Sequence, residues 1–249
     1  MKILGLIPAR YASTRLPRKA LEDLAGKTMI QRVYEQAIKS KSLSKVVVAT
    51  DHTEIFNHVE SFGGKVCITK VEHSSGTDRC FEALTLQSEK FDYVINIQGD
   101  EPFIQPEQID LLGSKLNGAV EIATLGKTIS TVDELESEGE VKITMNANKE
   151  ALYFSRSIIP YIVPNASDKK EWLSKYPFFK HVGMYAYRTD ILEQITKLPV
   201  SSLEKVERLE QLRWLENGFK VSIVETTEET FCIDTPQDLE KARVFLAKR

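Results

Sequence analysis

The sequence predicts an α/β protein built around a mostly parallel sheet. Short apolar runs typical of buried strands alternate with segments whose apolar residues recur at helical spacing. One of these runs, KVVVAT at residues 45–50, is continuous and β-branched, as a strand covered on both faces should be. Such alternation is typical of βαβ units, which place their strands in parallel.

Each element of the first half has a local reason. The first helix is indicated by apolar side chains at helical spacing, and the second ends at Gly63-Gly64. The last strand of this half ends in the polar run GDEP. The predicted elements are strands at 2–8, 45–50, 65–68 and 93–98, and helices at 29–39, 53–62 and 78–88.

The second half is less regular, and its elements are predicted from shorter patterns. Residues 165–177 have the composition of a surface loop, and alternation at 181–188 predicts a strand. Leucines at helical spacing predict a helix over 202–217, which ends at Asn217-Gly218. The remaining predictions are a mixed, proline-broken run at 151–164, a strand at 229–233 and a closing helix from about residue 237.

Composition excludes several classes of protein. The 249 residues carry 33 Lys and Arg against 36 Asp and Glu, and this net charge of −3 gives no reason to expect a nucleic-acid duplex or an acidic membrane as partner. Cys67, Cys80 and Cys232 are odd in number and widely spaced, which excludes a disulfide framework and indicates a reducing compartment. Because no apolar run suits a signal peptide or a membrane span, we expect a cytoplasmic protein.

The densest group of cations follows the first predicted strand. Residues 10–19 contain Arg10, Ser13, Thr14, Arg15, Arg18 and Lys19, and no acid. Hydroxyls, backbone N–H groups and cations together can hold a polyphosphate, and ligands of parallel sheets bind at the carboxyl ends of the strands. The segment lacks the glycines of a Walker A or dinucleotide-binding loop. A solvated basic turn is the alternative, but the position at a strand exit favours a phosphate site.

Two carboxylates are candidates for a metal site. Asp100 follows a buried strand and Gly99, where it could hold Mg²⁺ beside a phosphate; the alternative is a cap of the turn before Pro102. Asp234 precedes Thr235-Pro236, which is also a good helix start. Taken alone, Asp234 is better read as a cap. Paired with Asp100 and a polyphosphate, it could help to organise two Mg²⁺ ions.

A fourth candidate is the segment HSSGTDR at residues 73–79. Its small polar residues and glycine offer backbone hydrogen bonds that suit the edge of a nucleotide base. A tight loop that caps the following helix is an equal alternative.

Seven motifs in order resemble one known family. They are IPARYASTRLPRK at 7–19, HSSGTDR at 73–79, QGDEP at 98–102, YFSRSIIP at 153–160, HVGMYAYR at 181–188, LEQLRWLENG at 209–218 and IDTPQDL at 233–239. Over essentially its whole length the chain resembles the 3-deoxy-manno-octulosonate cytidylyltransferases, also called CMP-Kdo synthetases. Each motif alone is moderately specific, whereas all seven in order make a strong match.

The resemblance implies a nucleotide-diphospho-sugar transferase fold, a homodimer and a requirement for Mg²⁺. The implied reaction is CTP + Kdo → CMP-Kdo + pyrophosphate, which supplies lipopolysaccharide synthesis. It also implies one cytidylyltransferase domain over 1–249. In that domain about 1–125 and 225–249 form the nucleotide-binding core, and about 126–224 form the sugar-binding and dimerisation part.

The resemblance also implies roles for individual residues. Nucleotide-binding residues would be Pro8, Arg10, Ser13, Thr14, Arg15, Lys19, Ser75, Gly76, Asp78 and Arg79. Arg15, Lys19 and Asp100 would be catalytic, and Asp100 and Asp234 would bind the metal. The sugar-acid ligands would be Gln98, Arg156, His181, Tyr185, Glu210 and Gln211, with Arg156 suited to bidentate binding of a carboxylate.

One position departs from the family pattern LPGK, because residue 18 is Arg. A glycine with positive φ would be awkward to replace. Either the turn differs locally, or the Arg18 side chain points into solvent.

Other functions stay open at this level. A cytidylyltransferase for 8-amino-Kdo would differ only in a few pocket side chains, and sialic acid fits the motifs at 153–160 and 209–218 less well. A non-catalytic nucleotide-binding homologue is disfavoured by the presence of Arg15, Lys19, Asp100 and Asp234. An NAD-dependent oxidoreductase is disfavoured because the first strand lacks the glycine fingerprint.

Overall fold

The computed structural model describes residues 1–13, 15–163, 169–229 and 231–247. The chain divides into two compact units, of which the first comprises Met1–Ser114 and Glu229–Arg249 and the second comprises Lys115–Glu228.

The strands and helices are numbered in chain order. The strands are β1 (Ile3–Ala9), β2 (Asp23–Leu24), β3 (Lys27–Thr28), β4 (Lys45–Thr50), β5 (Val66–Ile68), β6 (Tyr93–Asn96), β7 (Ile122–Thr128), β8 (Lys142–Met145), β9 (Ala151–Ser155), β10 (Phe179–Arg188) and β11 (Val221–Glu225). The helices are α1 (Met29–Ala37), α2 (Thr53–Ser61), α3 (Gly76–Thr85), α4 (Pro106–Lys115), α5 (Val132–Glu136), α6 (Lys169–Lys175), α7 (Thr189–Ile195), α8 (Ser202–Glu207), α9 (Gln211–Glu216) and α10 (Pro236–Ala247), with a short 3-10 helix at Lys19–Leu21.

A parallel sheet forms the centre of the first unit. Its strand order is β6-β1-β4-β5, and each neighbouring pair is parallel. Six of the seven residues of β1 and five of the six of β4 are buried, because helices cover the sheet and leave little of either face to water. The four strands predicted for this half are confirmed, although β6 ends before the predicted boundary.

The helices of this unit begin where short polar side chains cap them. The Thr28 hydroxyl accepts a hydrogen bond from Gln31 N at the start of α1, and the Ser75 hydroxyl accepts one from Asp78 N at the start of α3. These caps fix the carboxyl-end loops of the sheet, which is the edge where a ligand is expected.

The second unit has a mixed sheet. Strands β11 and β7 are parallel, and β7-β10-β8-β9 continue in antiparallel pairs. Strand β10 carries a bulge between Val182 and Tyr185, which shifts its register against β7. The predicted strand at 181–188 is confirmed and begins two residues earlier.

The single helix predicted over 202–217 is wrong, because the segment forms two short helices. A capping box of Ser201 and Glu204 begins α8, and Arg208 ends it in the left-handed conformation at φ 56°. The buried guanidinium of Arg213 on α9 then donates to both carboxylate oxygens of Glu204, at 2.6 and 2.7 Å. This ion pair stabilises the break, which periodicity alone does not reveal.

Two further predictions are wrong. Within the predicted loop 165–177, residues 169–175 form α6, whose Trp172 is buried; residues 165–168 lie outside the described part of the chain. Of the predicted strand 229–233, the described residues form no strand. Phe231 packs instead against Phe103, and Ile233 N donates to Asp100 O at 2.9 Å.

Cys67, Cys80 and Cys232 are all free thiols. Among the described helices, none combines the length and apolar character needed to cross a lipid bilayer.

Arg18 has the left-handed backbone that the resemblance leads us to consider, with φ 57° and ψ 27°. Its guanidinium pairs with Glu54 and lies 5.8 Å from the centre of the Tyr11 ring. The turn therefore keeps a conformation typical of glycine, and the arginine side chain is 53% exposed while it pairs with α2 and lies near the Tyr11 ring.

Substitutions at Arg18 separate the backbone effect from the side-chain effect. Because a Cβ atom at positive φ costs about 1 kcal/mol, we expect Arg18→Gly to be more stable than Arg18→Ala by about that amount in urea unfolding. Glu54→Gln serves as the control for the ion pair alone. If Arg18→Ala were as stable as Arg18→Gly, residue 18 would not be in the left-handed conformation.

Candidate active site

A polar cleft of about 390 Å³ lies at the carboxyl ends of the parallel strands in the first unit. It is lined by loops that follow β1 and β6, by the start of α3 and by the segment before α10. The lining residues are Pro8, Ala9, Arg10, Ser13, Arg15, Lys19, Ala20, His73, Ser74, Ser75, Gly76, Arg79, Gln98, Gly99, Asp100 and Asp234. The cleft thus brings together residues from four sequence motifs. Asp78 is not among the lining residues, and Thr14 lies outside the described residues.

Gly99 makes the cleft possible where β1 and β6 end. A Cβ atom on Gly99 would lie 2.8 Å from the carbonyl oxygen of Pro8, so a larger residue would push the two strand exits apart. The close approach of these exits places Asp100 opposite the basic loop.

Four charged side chains meet inside the cleft. The Lys19 ammonium donates to Asp100 Oδ2 at 2.5 Å and to Asp234 Oδ1 at 2.8 Å. Arg15 Nη2 lies 2.9 Å from the other carboxylate oxygen of Asp234. The Lys19 side chain is only 17% exposed, so its ammonium is largely shielded from water, whereas the Arg15 side chain is 65% exposed.

The pKa values of this centre follow from burial and opposite charge. Burial lowers the pKa of Lys19, but the charge and hydrogen bonds of Asp100 and Asp234 outweigh burial and raise it above its ordinary value. Burial raises the pKa of Asp234, whereas the Lys19 hydrogen bond and charge and the Arg15 charge lower it below its ordinary value. Lys19 and Asp234 are therefore both charged at neutral pH.

The donor set fits a hard divalent cation. Carboxylate oxygens of Asp100 and Asp234 and the thiol of Cys232 lie within 4.8 Å of one another. Oxygen ligands are those that Mg²⁺ prefers, whereas a thiol suits softer metals. Burial and the two carboxylates raise the pKa of the Cys232 thiol, which keeps it protonated. Asp100 and Asp234 are thus the ligands that could hold Mg²⁺.

Asp234 does not cap the following helix. The cap of α10 is built from Thr235 and Asp238: the Thr235 hydroxyl accepts from Asp238 N, and Asp238 Oδ2 accepts from the Thr235 hydroxyl at 2.7 Å. The Asp234 carboxylate accepts from Lys19 instead. The hydrogen bond from Ile233 N to Asp100 O holds the two acidic residues beside each other.

The buried side chain of Arg79 connects loops that lie beside the cleft. Its side chain is 4% exposed and pairs with Asp51 at 3.0 Å, and it also donates to the hydroxyl of Thr69 at 2.6 Å. The other oxygen of Asp51 accepts from Tyr11 N at 2.9 Å. Asp51 is not among the predicted site residues, although its position directly after a predicted strand could have indicated that it lies at the site.

The 73–79 segment makes the hydrogen bonds of a helix cap. The Ser75 hydroxyl caps α3, and the Ser74 hydroxyl donates to Asp78 Oδ2 at 2.9 Å. His73 pairs with Glu82, the seventh residue of the helix. The capping interpretation is therefore observed, and a role in base recognition stays a prediction.

The predicted sugar ligands divide into three groups. Gln98 lines the cleft of the first unit. In the second unit Arg156 lines a cavity of about 370 Å³, and its guanidinium donates to the carbonyls of Glu207 at 2.9 Å and Glu138 at 3.0 Å. Glu207 also accepts from Arg156 N, so it holds this residue by side chain and backbone. Glu207 was not predicted.

The remaining predicted ligands lie around the bulge of β10. His181 and Tyr185 have ring centres 5.1 Å apart, and the Glu210 charge contributes to raising the Tyr185 pKa, after burial. Gln211, on α9, is buried. Burial lowers the pKa of His181 to about 4, so its imidazole is neutral at pH 7 and hydrogen-bonds the Thr124 hydroxyl at 2.9 Å.

Two buried polar atoms beside this group have no hydrogen-bond partner among the described residues. They are the Tyr185 hydroxyl and the Trp214 indole nitrogen, whose rings meet edge-on at 5.0 Å. Trp214 is not among the predicted site residues. Unpaired buried polar atoms are costly, so this pair marks a place where a polar ligand would be stabilising.

Comparison with known proteins gives a consistent result. Residues 4–227 match a family described as Cytidylyltransferase. The chain is 53% identical over 254 residues to the 3-deoxy-manno-octulosonate cytidylyltransferase of Parabacteroides distasonis, covering 100% of both chains. It is 55% identical over 239 residues to the enzyme of the same name from Cytophaga hutchinsonii, covering 96% of this chain and 95% of that one.

Solved structures agree with the sequence comparisons. A structure of CMP:2-keto-3-deoxy-manno-octonic acid synthetase complexed with CTP superposes with a TM-score of 0.91 at 41% identity, over 100% of this chain and 99% of that one. A 4-diphosphocytidyl-2C-methyl-D-erythritol synthase from Anaerococcus prevotii, at 14% identity and TM-score 0.64 over 99% of this chain and 96% of that one, shares the fold. The predicted fold class is confirmed.

The Arg79–Asp51 pair should be a major contributor to stability. Arg79→Met would leave a buried carboxylate without its counter-ion, and we expect a loss of about 3–5 kcal/mol in the free energy of unfolding in urea. Arg15→Met is the matched control. Because Arg15 is 65% exposed, its ion pair with Asp234 should be worth less than about 1 kcal/mol.

The double variant Arg79→Met, Asp51→Asn tests whether the two residues act as a pair. Removal of both charges should recover part of the stability lost in Arg79→Met. Losses that simply add would show that the two side chains do not interact.

Proposed function

Because this chain belongs to the 3-deoxy-manno-octulosonate cytidylyltransferases, we propose that its first unit binds CTP and that its second unit supplies ligands for the sugar acid. The chain is a nucleotidyltransferase: it transfers CMP from CTP to Kdo and releases pyrophosphate. The product is an activated sugar for lipopolysaccharide synthesis. The observation that carries the assignment of the first unit is the convergence of Lys19, Asp100 and Asp234 in one polar cleft.

The basic loop binds the triphosphate in this proposal. Arg10, Ser13, Arg15 and Lys19 face the cleft, and Thr14 is included on sequence alone. In the described part of the chain Arg10 has no ion-pair partner, so its charge is available to a ligand. Cations and hydroxyls at this density neutralise polyphosphate charge.

The cytosine and ribose lie at the opposite wall of the cleft. Pro8, Ser75 and Gly76 offer backbone and small side chains there, and Arg79 supports them from below. Asp78 contributes through the cap of α3. This division leaves the phosphates on the Lys19 side.

Mg²⁺ is the proposed cofactor, and Asp100 and Asp234 are its proposed ligands. When bound, Mg²⁺ supplies charge neutralisation and makes the attacking hydroxyl more acidic. Arg15, Lys19 and Asp100 are the proposed catalytic residues. The two cations stabilise the departing pyrophosphate, and the Asp100 carboxylate, which accepts from Lys19 before a ligand binds, serves as a metal ligand.

The transfer itself depends on positioning. The anomeric hydroxyl of Kdo attacks the α-phosphorus in line with the bond to pyrophosphate, and this chemistry needs charge neutralisation more than covalent help. His181 is not the general base in this proposal. Its imidazole is neutral at pH 7, and its Nε2 already shares a hydrogen bond with Thr124.

The sugar acid is recognised by charge and hydrogen bonds. The Arg156 guanidinium is suited to the Kdo carboxylate because it is held rigidly by backbone carbonyls. The other proposed ligands, which offer hydrogen bonds to the sugar hydroxyls, are Gln98, His181, Tyr185, Glu210 and Gln211.

A homodimer in the cytoplasm completes the proposal. Support comes from apolar side chains exposed on the second unit, where Leu152 is 61% and Val206 82% exposed. Helix α8 buries none of its own residues, so its apolar side chains suit a second copy of the chain. The free thiols are those expected in a reducing compartment.

The substrate is tested by release of pyrophosphate. With CTP and Mg²⁺, we expect release with Kdo and little with 8-amino-Kdo or N-acetylneuraminate. Release with the amino sugar alone would change the substrate assignment. No release with any of the three sugars, despite binding of CTP, would overturn the catalytic assignment.

Two variants separate catalysis from sugar binding. Asp100→Asn should lower kcat by about 100-fold or more with the fold intact, because it removes a ligand of the charged centre. Arg156→Ala removes a charge-assisted hydrogen bond and should raise KM for the sugar by about tenfold or more, with a smaller effect on kcat. Near wild-type turnover of Asp100→Asn would show that the metal assignment is wrong.

A further inference from the structure

We propose that Lys19 is a built-in counter-cation of the Asp100–Asp234 pair, which excludes a divalent metal ion until the nucleotide draws the ammonium away. The inference rests on the proposed function of this site and adds an order of binding to it. Metal and nucleotide would enter together, and neither carboxylate would hold a metal ion tightly beforehand.

The geometry places the ammonium where a bound metal ion would lie. Lys19 Nζ is 2.5 Å from Asp100 Oδ2 and 2.8 Å from Asp234 Oδ1, so one cation bridges both carboxylates. A metal ion ligated by the same two oxygens would overlap with this ammonium. The two cations therefore compete for one position.

Charge balance strengthens the competition. Arg15 occupies Asp234 Oδ2 at 2.9 Å, so both oxygens of Asp234 already face a cation. Two carboxylates with Lys19 and Arg15 form a neutral group, which offers a divalent ion little net attraction. With Lys19 gone, the same group is an anion.

The nucleotide provides the means of release. A triphosphate carries several negative charges and lies on the side of the cleft formed by the basic loop. The backbone of Lys19 is fixed in a 3-10 turn, where Leu21 N donates to Arg18 O at 2.8 Å. Only the long side chain has to move from the carboxylates to the phosphates, which a flexible four-carbon stem permits.

Binding of metal and nucleotide must then be coupled in both directions. If the nucleotide raises the affinity for the metal by removing Lys19, the metal raises the affinity for the nucleotide by the same factor. A lysine with a purely structural ion pair would produce no such coupling, because its removal would weaken the site instead of opening it.

The test measures Mn²⁺ binding to the full chain without nucleotide, by the electron paramagnetic resonance signal of free Mn²⁺. We expect Lys19→Met to bind Mn²⁺ at least about tenfold more tightly than the wild type, since one competing positive charge is removed. Lys27→Met is the matched control. Lys27 pairs with Glu35 at 2.6 Å outside the cleft, and its loss should leave Mn²⁺ binding unchanged.

The double variant Lys19→Met, Asp100→Asn locates the bound ion. The double variant should lose the Mn²⁺ affinity that Lys19→Met gains. If that affinity persisted, Mn²⁺ would bind elsewhere, and the proposal would be overturned. Equal Mn²⁺ affinity of Lys19→Met, Lys27→Met and the wild type would overturn it as well. Lys19→Gln, which keeps a polar side chain of similar length, provides a second variant if Lys19→Met does not fold.

Water-proton relaxation tests the nucleotide step. In the wild type, Mn²⁺ with CTP should give an enhancement above that of Mn²⁺–CTP alone, and Mn²⁺ without CTP should give none. Enhancement by wild type without CTP would contradict the exclusion. Failure of the proposed function would appear separately, as a lack of pyrophosphate release by the wild type, and would leave these binding results interpretable.

Discussion

The ammonium of Lys19 between two carboxylates is the interaction on which the cleft depends. It joins three segments that are remote in sequence, since Asp100 is 81 residues and Asp234 215 residues from Lys19. The segment before α10 forms no strand in its described residues, so side-chain contacts with Lys19 and Arg15 and the bond from Ile233 N to Asp100 O help to hold Asp234 at the sheet edge. Buried charges are stable only when they are paired, and here the pairing also builds the site.

A second buried pair supports the first from the side of β4. Asp51 receives the Arg79 guanidinium on one oxygen and the Tyr11 backbone on the other, which links α3, β4 and the start of the basic loop. Tyr11 stacks on His52 at 3.7 Å, and Arg18 lies over the same Tyr11 ring. The loop that carries the phosphate cations is thereby held at both ends. A positioned loop loses less conformational entropy when a ligand binds.

In the second unit, backbone carbonyls bind a buried ammonium group. Lys142 is fully buried, and its ammonium donates to the carbonyls of Ser137, Glu140 and Arg156 at 2.6–2.8 Å. Burial lowers its pKa, and the three carbonyls compensate for the lost hydration. One of these carbonyls belongs to Arg156, and the Glu207 carboxylate accepts from the backbone N–H of the same residue. Arg156, the proposed partner of the sugar's carboxylate, is therefore oriented before any sugar binds.

The sequence by itself determined the α/β class, the four strands of the first unit, and the position of cations and acids at strand exits. These features depend on local periodicity and on the rule that parallel strands end at a common edge. Only the tertiary structure decided that Thr235 caps α10 and frees Asp234, that Arg213 stabilises the break at Arg208, and that Asp51 is the partner of Arg79. Each of these outcomes depends on a side-chain contact of charge or hydrogen bonding that exists only once the chain has folded. Whether a carboxylate caps a helix, pairs with a lysine or faces a ligand is a competition between such contacts, and local sequence contains only some of the competitors.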